Sequence, residues 1–299
     1  LAHYIGIFAM VFGSTSGYNV AYAGDGQAVG VATTGTLTSS TSNIADSDVT
    51  FQTAESSATT FTVNTGTAFT IDLFTTEDSG SDAAGSTITV TGGVLTIDLT
   101  ATMLAQTAAT VYKMAVASGA EVKLGGAAVI NSNGTFNVEL QGGTFTAQEA
   151  DAQALAFNFD SDAGADGTLN ALNAGVKAFA GTVGATNGLA AVNIGSATDD
   201  AGASFAGVVK ATTITVLSGE ASGENSAATF AGAVTGNVVM TDGAHADSHA
   251  TVSFTNSTAA TALSGTLTTT KTDADDTFVI IQDSAAGAAA AQTFAGQIG

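Results

Sequence analysis

The chain has 299 residues, 26 acidic side chains against five lysines and no arginine, and a formal charge of −21 at neutral pH. Lysines scattered at Lys113, Lys123, Lys177, Lys210 and Lys271 cannot form the basic groove that phosphate neutralisation needs, which excludes most nucleic-acid binding and an anionic membrane surface. Only 10% of residues are charged, and Cys, Pro and Trp are absent: the surface must be Thr, Ser and Asn, thiolate and disulfide chemistry are removed, and uninterrupted strand ladders are expected.

Leu1 to Phe12 is apolar but, at about 12 residues, shorter than the roughly 20 that a membrane-spanning helix needs. Read as a strand, it points Tyr4, Phe8, Met10 and Phe12 one way and Ile5, Ile7 and Val11 the other, so both sides call for burial. That burial is found within the chain's own domain or by insertion into a neighbouring subunit; a pilin-like helix is a third reading. Ala21-Tyr22-Ala23 has the small-x-small form of a signal-peptide cleavage site, so 1–23 is either retained leader or a mature assembly segment.

From Val49 to Leu99, runs such as Thr59–Val63, Ala68–Phe74, Thr87–Val90 and Val94–Leu99 alternate apolar residues with Thr or Asp, the period-2 pattern of a half-buried strand. Gly92-Gly93 between two such runs predicts a hairpin. Between Ala101 and Ser118 the pattern changes, and Leu104, Ala108, Val111 and Ala115 fall on one face of a short helix. Strands resume at 121–124, 127–130 and 135–140, with turn signals at Asn133-Gly134 and Gly142-Gly143. The expected fold class is therefore mainly β with little helix: an antiparallel β-domain over 24–150, an acidic linker over 151–170, and a repetitive β-sheet or β-solenoid-like region over 171–299.

The last region carries an internal repeat. Phe179-Ala-Gly-Thr-Val183, Phe205-Ala-Gly-Val-Val209, Phe230-Ala-Gly-Ala-Val234 and Phe294-Ala-Gly-Gln-Ile298 share one pentad, and Phe254 and Phe278 occupy two further steps without the Ala-Gly. From Phe179 to Phe278 the spacings are 26, 25, 24 and 24 residues, the length of one solenoid coil or one strand pair. The six rings are expected to stack as a repeat core, with the Gly placed where the chain bends. Ser226–Met240 and Ala250–Leu267 resemble the β-strand repeats of large bacterial surface proteins, a group of surface-layer, filament and adhesin types. The resemblance covers about residues 170–299, implies an extracellular assembling role, and transfers no catalytic residue.

Asp160, Asp162 and Asp166, followed by Gly167, resemble part of an acidic calcium loop but lack the acidic residue at its last position, where Asn173 stands, so Ca2+ is the one cofactor considered. Their other reading is a solvated linker. Asp273 to Asp276 and Glu77-Asp78 with Asp82 are similar acidic turns. In an extended strand His245, Asp247 and His249 share a side and offer zinc or copper ligands; the alternative is a polar loop tip. Asn133-Gly-Thr135 and Asn256-Ser-Thr258 are formal glycosylation sequons. With no nucleophile elbow, phosphate loop or dinucleotide fingerprint, the chain is not expected to be an enzyme. The expectation is a structural subunit of a self-assembling extracellular layer or filament, partnered by itself, with no nucleic acid and no membrane span. The rival is an adhesin or receptor-binding stalk on which cell-surface glycans are the partner.

Overall fold

The computed structural model describes residues 28–32, 36–39, 48–53, 58–63, 68–78, 84–104, 111–130, 135–243, 245, 247–255, 261–270, 277–282 and 293–299. Among them every element is a strand, from Ala28–Ala32 to Thr293–Phe294, gathered into a 20-stranded and a 6-stranded sheet. Each strand pairs in parallel with strands about one coil away, not with its neighbour in sequence. The result is a three-faced β-solenoid. Face A holds Thr36–Ser39, Ala58–Val63, Ala84–Thr91, Val111–Ala117, Thr135–Gln141 and Asn158–Ser161, and narrows afterwards to short bridges at Val183, Val209 and Val234. Face B runs through Glu121–Leu124, Thr144–Ala147, Asp166–Ala171, Leu189–Ile194, Val209–Leu217 and Val234–Thr241. Face C runs through Gln153–Leu155, Val176–Phe179, Gly202–Phe205, Ser226–Phe230, His249–Phe254 and Thr277–Gln282.

The strand content and the solenoid follow the alternation and the repeat; strand direction does not. The antiparallel pairing expected over 24–150 is replaced by parallel pairing, because the glycine turns are corners between faces. At Gly92-Gly93, φ values of 69° and 57° turn the chain from Ala84–Thr91 on face A to Val94–Leu104, which continues face B. The neighbour in sequence then lies on another face, and the partner for the ladder comes a coil later. Period-2 alternation marks one buried side, and a solenoid interior supplies that burial as well as a sandwich does. The expected helix between Ala101 and Ser118 is also absent: Val94–Leu104 and Val111–Ala117 are strands, and residues 105–110 lie outside the described residues. Spacings of three and four in so Ala-rich a stretch arise without helical selection. Coils run through 151–170 without interruption, since Gln153–Leu155 and Asn158–Ser161 pair within the ladders.

The interior is built from ladders. Phe179, Phe205, Phe230 and Phe254 are direct register partners, all at most 1% exposed, with successive ring centroids 4.8, 5.2 and 5.6 Å apart and interplanar angles of 5°, 10° and 27°. These separations are close to the strand spacing of a sheet, so backbone pairing and ring stacking reinforce one another. The two remaining repeat phenylalanines depart from the ladder. Phe278 pairs with Ala250, and Gln282 stands opposite Phe254. Phe294 pairs with Leu263 and meets Phe254 edge-on at 5.1 Å. Loop insertions between coils shift the register, which a constant spacing cannot register. The Ala-Gly after each Phe forms the corner into face A: a Cβ on Gly232 would lie 2.1 Å from the Gly207 carbonyl oxygen, and one on Gly207 would lie 2.6 Å from that of Gly181. Only glycine lets successive corners nest.

Candidate functional site: polar ties and an acidic edge

A solenoid exposes one side of every strand and all of its corners, so these places must hold any chemistry. The polar side chains there are mostly engaged with the next coil. The Asp160 carboxylate accepts the backbone N–H of Thr186 at 3.2 Å and of Asn187 at 2.7 Å. Asn158 Oδ1 accepts the Thr182 N–H at 2.9 Å, and Ser226 Oγ accepts the Ala201 N–H at 3.1 Å. Buried Ser218 donates to Asp242 Oδ1 at 2.5 Å and accepts the Gly243 N–H at 2.7 Å. On face B the Asn193 amide donates to Asn170 Oδ1 at 2.9 Å, and the Thr146 hydroxyl donates to Glu121 at 2.7 Å. Each of these ties spans between 22 and 28 residues, one coil. The Lys113–Glu139 ion pair, at 2.5 Å, likewise joins adjacent coils.

The three candidate calcium ligands are separated by this arrangement. Asp160 faces the following coil, Asp162 Oδ1 accepts the neighbouring Ala163 N–H at 2.8 Å, and only Asp166 approaches Asp162. Burial, the Asp162 carboxylate and Glu139 push the Asp166 carboxyl above its ordinary value, partly opposed by the Gly142 backbone; its Oδ1 has no hydrogen-bond partner. Among the described residues no group of three or more His, Asp or Glu side chains has metal-holding geometry. The histidine cluster does not form an extended strand: residues 245–248 belong to a loop, and the strand begins at His249. Within that loop His245 Nδ1 accepts the Asp247 N–H at 3.2 Å, and the His249 N–H donates to Asn225 Oδ1 at 2.9 Å. Glu77 and Asp78 end strand Ala68–Asp78, whereas Asp82, the turn at 273–276, Asn133 and Asn256 lie outside the described residues, as do Tyr4, Ile5, Ile7, Phe8, Met10, Val11 and Phe12.

Two features escape sequence reasoning because only the coil geometry assembles them. The first is an acidic edge. Between residues 170 and 270 every acidic residue, namely Asp199, Asp200, Glu220, Glu224, Asp242 and Asp247, lies in a loop that carries the chain from face B to face C. The second is Lys177, whose side chain is buried in the solenoid on face C, opposite Gln153. Its ammonium donates to the carbonyls of Asn173, Ala174 and Gly175 at 3.1, 2.9 and 3.3 Å, closing the one such loop in this region that has no acid of its own. Desolvation lowers its pKa from the ordinary lysine value, and Glu149, Asp200 and Asp151 on the same edge oppose that shift. A lysine in an Ala-rich strand reads as a solvated charge, so its spacing gives no sign of an interior position.

Comparison with protein-family models, with curated proteins and with solved structures gives no match. Among the described residues no helix is long and apolar enough to cross a membrane.

Proposed function

We propose that the chain is a structural subunit of a self-assembling extracellular surface layer or filament. The observation that carries this reading is the use of polar side chains as ties between coils. Asp160, Ser218, Asp242 and Asn158, the residue types that catalysis or metal binding would need, are engaged in joining one coil to the next. Such a molecule is a stiff scaffold with a repeating exterior. A charge-poor Thr, Ser and Asn surface supports exposure to an extracellular medium, and non-closing contacts between identical repetitive subunits generate layers and filaments. No catalytic residue and no resident cofactor enter this reading.

Negative-stain electron microscopy of the purified chain tests it. Ordered sheets or fibres are the expected result. Dispersed single rods at every protein concentration and ionic condition would favour the stalk of an adhesin, and hydrolytic activity on a polymer substrate would contradict a purely structural role.

A further inference from the structure

The acidic edge leaves a flat neighbour. On face C the outward positions between 176 and 253 include Val176, Ala178, Ser204, Ala227, Thr229 and Ser253, alternating with the buried ladder, and none of these outward positions carries a charge. Val176 is 48% exposed, and Val208, at the far corner of the same face, is 40% exposed. In a chain of charge −21 this face is bordered by acids along one side only. Face B differs: it begins with the Glu121–Lys123 pair and carries the larger amides of Asn170 and Asn193.

We infer that the outward side of face C is the contact through which two copies of this chain pair side by side with their solenoid axes parallel; the inference rests on the self-assembling role proposed above. Two arguments identify the occupant. The outward side chains repeat once per coil, about every 4.8 Å, and a second copy of the same solenoid matches that period along its whole length. Small side chains also let two sheets approach to about 10 Å without bringing carboxylates between them.

The acidic edge then fixes the orientation. A two-fold axis along the solenoid puts the edge of one copy and that of its partner on opposite sides of the joint. A two-fold axis across the solenoid sets them side by side, where rows of carboxylates repel.

Spin labels test this cleanly because the chain has no cysteine of its own. Single variants Ala178→Cys, Ser204→Cys, Thr229→Cys and Ser253→Cys are labelled, diluted with unlabelled chain and assembled, and dipolar distances between copies are measured. Thr215→Cys on face B serves as the comparison. The expected result is one short distance common to the four face C positions and a longer one from face B. Distances that lengthen by about 10 Å per coil away from one position would mean antiparallel pairing and overturn the orientation. Particles that assemble while face B labels lie closer than face C labels would overturn the contact but leave the structural role standing. A wild-type chain that never assembles would overturn both. As a second readout, Thr229→Glu should weaken association by about tenfold or more through like charges brought face to face, while Thr235→Glu on face A should not; equal effects would contradict the contact.

Discussion

Phe205 shows how much one side chain contributes to this fold. It is 1% exposed and lies between Phe179 and Phe230, with ring centroids 4.8 and 5.2 Å away. We predict that Phe205→Ala costs about 3–5 kcal/mol, because the cavity interrupts a stack that the coils cannot close without breaking register. Chemical denaturation checks this, and a loss near zero would mean that the rings are not packed. Asp166 supplies a prediction of opposite sign. Its carboxyl is held above the ordinary 3.8, chiefly by burial and then by Asp162, so the folded chain holds this proton more tightly than the unfolded chain. Its contribution to stability is therefore fully present below 3.8 and is lost as pH rises through the elevated folded value. Asp166→Asn should stabilise the fold at neutral pH, with the gain disappearing in acid; a gain independent of pH would show that charge is not the cause. The Phe-Ala-Gly pentad made the ring ladder legible from residues alone. Phe136, Phe145, Phe157 and Phe159 extend the aromatic interior, with Phe145 and Phe159 at 5.0 Å and Phe136 and Phe157 at 4.8 Å, yet they share no motif or constant spacing and so left no signal.

At the scale of the strand, alternation located most elements because each half-buried strand must place apolar residues on one side. Direction was not legible, since a corner and a hairpin both use Gly-Gly and the two differ only in which strand becomes the partner. The corner between faces B and C illustrates the point. In early coils a single strand rounds it, as Val94–Leu104 does by pairing Val94–Ile97 with Glu121–Leu124 and 101–103 with Ala128–Ile130. In later coils it becomes the loops at 195–201, 218–225 and 242–248, which shift register and carry the acids. Lys177 closes the one such loop between 170 and 270 that has no acid of its own. Desolvation lowers its pKa below 10.5, so between the folded value and 10.5 the unfolded chain binds more protons and this group's contribution to stability rises with pH. We predict that Lys177→Met removes that rise, leaving a flatter alkaline limb in a comparison of denaturation midpoints from pH 7 to 10. An identical pH dependence in wild type and variant would show that the amine titrates as though solvated.

For the whole molecule, charge and repetition act against one another. Coil stacking brings Asp199, Asp200, Glu220, Glu224 and Asp247 to one edge, and joining copies concentrates that charge further. Assembly should therefore strengthen with salt, as the Debye length falls from about 10 Å at 0.1 M to about 3 Å at 1 M, and light scattering against ionic strength reads this directly. A decrease in scattering with salt would mean that the contacts are ionic and not between uncharged faces. The net charge was visible in composition, but its confinement to one edge was not, because the acids are spread through the sequence and only the coil period aligns them. Low-dose cryo-electron microscopy with diffraction from the assembled material tests the central claim most directly, that a parallel solenoid joined coil to coil by its own polar side chains is built for assembly. The account predicts ordered layers or fibres with a repeat of about 4.8 Å along the solenoid axis and the carboxylate edge facing solvent. Material with no such repeat, or a chain that stays monomeric at high salt and high concentration, would contradict it.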